Sequence, residues 1–113
     1  MSGQLPSGIL VTALMRQVND AGGTAALLVR GDAQAGAVLI ICCEKGRHVS
    51  ALERGIGPDG RNSLVRSGPG PTDSSMDIAA YWQKRQHFDP DLWVIELDIP
   101  NAERFVAQVM LEG

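Results

Sequence analysis

The chain has 113 residues, of which 44% are hydrophobic, so one globular domain over residues 1–113 is expected to fold without disulfides or metal. Thirteen acidic residues outnumber ten basic ones, which argues against nucleic acid and anionic membrane as partners. The apolar run Ile9 to Met15 is too short to span a bilayer, which takes about 20 residues. The adjacent cysteines, Cys42 and Cys43, are interpreted as buried small side chains, which predicts a reduced, cytoplasmic setting.

The first half of the chain predicts one helix followed by three strands. A helix is expected to start with Ser7 as its N-cap and to end at Gly22. The apolar runs at 24–31 and 35–44 are separated by only three residues, so they predict a hairpin of two central strands. A turn then leads into a third strand at 48–55.

The second half predicts a strand, a helix, a further strand and a last helix. The fourth strand, 62–67, follows a GPDG turn and is expected at a sheet edge. A capping box beginning at Ser74 starts a helix that ends before Pro90. A fifth strand covers 92–98, and Pro100 starts the last helix. The order α-β-β-β-β-α-β-α predicts an α+β fold, with helices packed on a mostly antiparallel sheet of four to five strands.

Four segments of the chain carry a resemblance to a known family. In order they are VRGDAQAGAVLI, ALERG with the PDGR that follows it, FDPDLWVIELD and AERFVAQ. Together they resemble a family of short bacterial proteins catalogued as domain of unknown function 1491. The resemblance spans nearly the whole chain and implies a small, stand-alone cytoplasmic bacterial protein. It implies no particular activity.

The sequence predicts no catalytic residue, no metal site and no cofactor. The two histidines, His48 and His87, lie far apart, and the motifs C-x-x-C, P-loop and G-x-S-x-G are absent. Residues 81–98 hold both tryptophans and three aspartates. We interpret this dense segment as a helix turning into a strand, with Trp82 and Trp93 in the core.

A degenerate or divergent restriction-endonuclease-like nuclease domain is the alternative, because its core shares the order α-β-β-β-α-β. Those nucleases hold a divalent metal with an aspartate on the second strand and Glu-x-Lys on the third. Here Asp32 precedes the second strand, and the third carries Glu53-Arg54-Gly55, which lacks the lysine. Similarity of fold alone is weak evidence for function.

The interpretation that we favour is a non-enzymatic binding or adaptor protein, with another protein or a second copy as its partner. The candidate contacts are the predicted hairpin tip Arg30–Gln34, the pair Glu53-Arg54 and the loop 67–75. The tentative binding residues are Arg30, Asp32, Glu53 and Arg54.

Glu53 is expected to lie among apolar side chains. If Glu44 faces His48 in the hairpin, then Leu39 faces Glu53. A buried carboxylate needs a partner, and both Arg30 and Arg85 are candidates. The pair is either structural or part of an open cleft that grips a ligand.

Overall fold

The computed structural model describes residues 5–71 and 75–112, and it confirms the α+β class and the predicted element order. In this part of the chain the helices are α1 (Ser7–Asp20), α2 (Ser75–Phe88) and α3 (Ala102–Glu112). The strands are β1 (Thr24–Val29), β2 (Val38–Glu44), β3 (Arg47–Ile56), β4 (Asn62–Ser67) and β5 (Trp93–Asp98). None of the described helices combines the length and the apolar character needed to cross a lipid bilayer.

The five strands form one sheet in the order β1-β5-β2-β3-β4. The strands β2, β3 and β4 are joined as an antiparallel meander, and β4 lies at an edge, as predicted. The strand β5 pairs antiparallel with β1 and parallel with β2, which makes it central. The sheet is therefore mostly antiparallel, with one parallel pair.

The predicted hairpin between β1 and β2 is wrong, because β5 lies between these two strands. Their connection instead wraps around the start of β5. The backbone amide of Asp32 donates to the carbonyl oxygen of Asp91 over 3.0 Å. A Cβ atom at either Gly31 or Gly36 would collide with that same oxygen. The two glycines thus permit a close backbone approach rather than a tight turn, and β1 becomes an edge strand.

Helices cover both faces of the sheet. The helices α1 and α3 pack on one face, here called the α1/α3 face, and α2 packs on the other, here called the α2 face. Fully buried side chains on the α1/α3 face include Leu14, Ile40, Ile95 and Val106. Those on the α2 face include Leu39, Leu92 and Val94. Burial of this apolar surface is the main force that holds the layers together.

The ends of the helices differ from the sequence prediction, since α1 ends at Asp20 rather than Gly22 and α3 begins at Ala102 rather than Pro100. Ser7 is the first helical residue of α1 and not its N-cap, since Pro6 occupies that position. The Ser7 hydroxyl donates instead to the Gly36 carbonyl oxygen over 2.5 Å, which ties α1 to the loop before β2. The capping box predicted at Ser74 lies outside the described residues.

The register between β2 and β3 is partly as predicted. Next to the turn, Glu44 pairs with Arg47 and not with His48, so the prediction is wrong there by one residue. A bulge restores the predicted register further along, where Ile40 lies opposite Leu52. The sheet face predicted for the second half of β3 therefore holds.

Candidate ligand-binding cleft

A cleft of about 490 Å³ lies at the end of the sheet where β2 begins and β3 ends. The start of α1, the end of α3 and the loop before β2 close its sides. Its apolar lining comprises Leu5, Leu10, Val38 and Met110. Its polar lining includes Ser7, Gln34, Glu53 and Arg54. Four segments that are distant in sequence thus form one concave, mixed surface.

Arg54 is the charged residue of the cleft whose Nε atom has no hydrogen-bond partner among the described residues. It pairs across the sheet with Leu64, whose side chain packs on the core of the α1/α3 face. Its Nε atom is buried and makes no hydrogen bond within residues 5–71 and 75–112. A buried donor without an acceptor is costly. The site therefore favours an anionic or hydrogen-bond-accepting group beside Arg54.

Glu53 points to the opposite face of the sheet, because adjacent residues of a strand alternate. The Arg85 guanidinium of α2 donates to the two carboxylate oxygens of Glu53 over 2.6 and 2.9 Å. The same Arg85 donates to the Tyr81 hydroxyl over 2.9 Å. The hydrogen bonds from Arg85 lower the pKa of Glu53 despite its partial burial. Of the two proposed partners, Arg85 is correct and Arg30 is wrong, and the geometry favours a structural ion pair.

Contacts within the protein hold Arg30 and Asp32 in the connection between β1 and β2. The Arg30 guanidinium lies 5.8 Å from the centre of the Trp93 ring, within the range of a cation–π contact. The Asp32 carboxylate accepts hydrogen bonds from the Gln34 and Ala35 amides over 3.1 and 2.9 Å. Of the four tentative binding residues, Arg30 and Asp32 do not line the cleft. Glu53 borders it, but its carboxylate is turned to Arg85 on the other face, so Arg54 is the charged side chain left to the cleft.

The start of α1 is not an open anion cradle, although helix N-termini often bind anions. The amides of Ser7 and Gly8 donate to the carbonyl oxygens of Gln34 and Ala33 over 3.2 and 2.9 Å. The Ser7 hydroxyl is engaged by Gly36. Of the charged groups of the cleft, the guanidinium of Arg54 is therefore the one that we consider for a ligand.

The cysteines and acidic residues show no reactive or metal-binding arrangement in the described part of the chain. Burial raises the pKa of the Cys42 thiol to about 12 and that of Cys43 to about 11, so both thiols stay protonated at neutral pH. Within residues 5–71 and 75–112, no group of three or more His, Cys, Asp or Glu side chains could hold a metal ion. Nothing in this arrangement supports the nuclease alternative.

The tryptophans differ in exposure, although both were predicted to lie in the core. Trp93 is buried, and its indole nitrogen donates to the Asp32 carbonyl oxygen over 2.7 Å. Trp82 is only partly buried, and it lines a second, smaller cavity under α2 together with His48. Sequence reasoning missed this cavity because its residues come from separate strands and a helix, without a local motif.

The comparisons with known proteins agree with this architecture. The family model described as "Protein of unknown function (DUF1491)" matches residues 5–107. No curated protein matches the chain.

Three solved structures share the fold. The crystal structure of a DUF1491 family protein from Caulobacter crescentus is 28% identical, with a TM-score of 0.77, and the match covers 90% of this chain and 94% of that chain. The NMR structure of a DUF1491 family protein from the same organism is 26% identical, with a TM-score of 0.76 and coverage of 92% and 94%. A solution structure of a protein from A. tumefaciens is 28% identical, with a TM-score of 0.65 and coverage of 84% and 86%. The family model spans most of the chain and confirms the resemblance seen in the sequence, and the chain therefore belongs to the DUF1491 family.

Proposed function

We propose that the protein is a non-enzymatic binding protein whose cleft captures a carboxylate attached to an apolar body. The observation that carries the proposal is Arg54, whose buried Nε atom has no hydrogen-bond acceptor in the described part of the chain and whose side chain lines the cleft. A guanidinium binds a carboxylate through two parallel hydrogen bonds, which gives both affinity and orientation.

The apolar walls of the cleft determine which uncharged group the ligand carries next to its carboxylate. The side chains of Leu5, Leu10, Val38 and Met110 surround the charged group. A site of this kind fits an aliphatic or amino-acid body that gains free energy when its surface leaves water. A fully polar anion such as inorganic phosphate would leave these walls without contact.

Binding is favoured over catalysis because the two side chains near Arg54 that could act as a nucleophile or a base, those of Ser7 and Glu53, are already engaged. The Ser7 hydroxyl donates to Gly36, and the Glu53 carboxylate is held by Arg85 on the far side of the sheet. A nucleophile or a general base needs a free lone pair directed at a substrate. The Ser7 hydroxyl faces a carbonyl oxygen rather than a base that could take its proton, and the Glu53 carboxylate is occupied by Arg85.

Two sources supply the same ligand chemistry. One is a small carboxylic acid, and the other is the C-terminus of a partner protein, which would make the chain an adaptor. Both present a carboxylate next to carbon-rich groups. The cytoplasmic location remains a prediction, for which the two free cysteines provide support.

Isothermal titration calorimetry with four probes tests the proposal. Hexanoate and N-acetyl-leucine carry the carboxylate, whereas hexanol and N-acetyl-leucinamide are their neutral counterparts. We expect each acid to bind at least about tenfold more tightly than its neutral counterpart, which corresponds to about 1.4 kcal/mol for a charge-assisted contact. Tighter binding of hexanoate would indicate a small acid, and tighter binding of N-acetyl-leucine would indicate a chain terminus.

Two arginine variants serve as test and control. Arg54→Met keeps most of the side-chain volume and removes the charge, so it is expected to abolish the preference for the acids. Arg61→Met alters a turn arginine whose side chain is 86% exposed, and it should bind like the wild type. Equal binding of acids and neutral counterparts, or unchanged acid binding by Arg54→Met, would overturn the proposal.

A further inference from the structure

A second cavity, of about 220 Å³, lies between the α2 face of the sheet and α2 itself. Its polar lining includes Cys43, His48, Ser75 and Glu96, and its apolar lining includes Ile41, Ile78, Ala79 and Trp82. It is smaller than the pockets that hold drug-sized molecules, which measure about 300–1,000 Å³. The ligand it suits is therefore a small molecule.

His48 has a defined hydrogen-bonding state in this cavity. The His48 residue is only 7% exposed. The Nε2 atom lies 2.9 Å from the Pro69 carbonyl oxygen. A carbonyl oxygen only accepts hydrogen bonds, so Nε2 carries the hydrogen.

In the neutral ring the other nitrogen, Nδ1, is then an acceptor. The Nδ1 atom is buried and makes no hydrogen bond with any residue in the described part of the chain. Pro69, whose carbonyl oxygen accepts from Nε2, does not line this cavity, whereas His48 does. The ring therefore offers the cavity an unused acceptor.

Glu96 adds a negative charge to the same cavity. It lies on β5, opposite Ile41 in the parallel ladder, and its carboxylate has no hydrogen-bond or ion-pair partner among residues 5–71 and 75–112. The neighbouring Cys43 thiol is neutral, because burial and then the charge of Glu96 raise its pKa to about 11. The net charge of the lining is therefore negative, and its main polar groups are acceptors.

We propose that this cavity binds a small organic ammonium ion, whose N–H groups donate to Glu96 and to Nδ1 of His48. The partly buried Trp82 ring adds an aromatic wall of the kind that attracts organic cations. Ile41, Ile78 and Ala79 contact the hydrocarbon part of the ligand. A metal ion fits less well, since the described residues form no cluster of three potential ligands. The site is independent of the Arg54 cleft, which lies on the opposite face of the sheet and takes an anion.

A titration with three small probes tests the site. Protein labelled with ¹⁵N is titrated at neutral pH with n-butylammonium, n-butanol and butyrate, and both backbone amides and histidine ring nitrogens are followed. Butylammonium is expected to shift the amides of Ile41, Ile78 and Trp82 and the Nδ1 resonance of His48. Butanol and butyrate should bind at least about tenfold more weakly, because neither supplies a charged donor.

Glu96→Gln and Glu44→Gln provide the matched variants. Glu96→Gln keeps the shape of the side chain and removes its charge, so it should weaken butylammonium binding at least about tenfold. Glu44 is exposed at the end of β2 and does not line this cavity, so Glu44→Gln should bind like the wild type. The proposal is overturned if butylammonium causes no saturable shift of the His48 Nδ1 resonance, if butanol binds as well, or if Glu96→Gln binds like the wild type.

Discussion

Two neighbouring residues of β3 illustrate how the surroundings decide what a charged side chain does. Glu53 meets Arg85 under α2, and Arg85 also donates to Tyr81, so the charge of Glu53 is satisfied inside the protein. Arg54 faces the other side of the sheet and finds an open cleft instead. The first residue is therefore expected to stabilise the fold, and the second is expected to serve a ligand.

Replacing Glu53 with alanine should destabilise the protein by about 1–3 kcal/mol. The two side chains of the pair are 23% and 30% exposed. The expected loss therefore lies between that of an exposed pair and that of a fully buried pair with one partner removed. Chemical denaturation at neutral pH measures the change. A loss below about 0.5 kcal/mol would show that the pair contributes little.

The contribution of Glu53 to the free energy of unfolding should decrease as the pH falls. Arg85 holds the folded-state pKa of Glu53 below its ordinary value of 4.5. The stabilisation is therefore fully present above that ordinary value, and it is lost as the pH falls through the folded-state pKa. The stability difference between the wild type and Glu53→Gln should stay constant near neutral pH and shrink in acid. A difference that grows on acidification would contradict this assignment.

Arg54→Met should leave the free energy of unfolding within about 0.5 kcal/mol of the wild type or raise it. The variant removes a buried nitrogen without a described partner while it keeps an apolar stem. Thermal melting alongside Glu53→Ala provides the comparison. A loss as large as that of Glu53→Ala would assign Arg54 a structural role.

The cysteines are expected to be inert in the folded protein. Burial raises their pKa values to about 12 and about 11, so little reactive thiolate forms at neutral pH. A thiol reagent such as Ellman's reagent should label neither cysteine quickly under native conditions and both after unfolding. Rapid native labelling would show that the strand β2 opens readily.

At the scale of the elements, the connection between β1 and β2 depends on a close backbone approach. A Cβ atom at Gly31 would collide with the Asp91 carbonyl oxygen and with the backbone of Leu92. We expect Gly31→Ala to cost at least about 2 kcal/mol, because backbone atoms cannot move aside cheaply. Gly70→Ala is the matched control, since a Cβ atom there meets nothing within 4 Å. Similar melting temperatures for the two variants would contradict this packing.

Local sequence signals predicted the elements well and their long-range pairing less well. Helical spacing and turn residues were enough for the three helices and for the meander of β2, β3 and β4. The position of β5 between β1 and β2 was missed, because the pairing of strands that are distant in sequence produces no periodic pattern in the sequence of either strand. The short connection between the first two strands even favoured a hairpin.

The candidate sites show the same contrast between what local sequence signals predict and what depends on long-range contacts. Strand alternation was enough to expect an arginine partner for Glu53. It did not separate Glu53 from Arg54, which were treated as one pair although they face opposite sides. The Arg54 cleft and the His48 cavity each combine residues from distant segments, so neither was visible before the fold was known.

At the scale of the whole molecule, one sheet separates two cavities of opposite character. The Arg54 cleft on the α1/α3 face presents a positive charge among apolar walls. The cavity on the α2 face presents acceptors and a carboxylate. Ligands for the two sites should therefore differ in charge, and a substitution in one site should leave the other unchanged.

Amide chemical-shift mapping with N-acetyl-leucine tests the central claim, that the Arg54 cleft is a carboxylate-binding site, most directly. The account predicts saturable shifts at the start of α1, at residues 34–38, at Arg54 and at Met110, which together surround the cleft. It also predicts that N-acetyl-leucinamide causes much smaller shifts and that Arg54→Met abolishes the response while keeping a native spectrum. Shifts that centre elsewhere on the protein, or that persist unchanged in Arg54→Met, would contradict it.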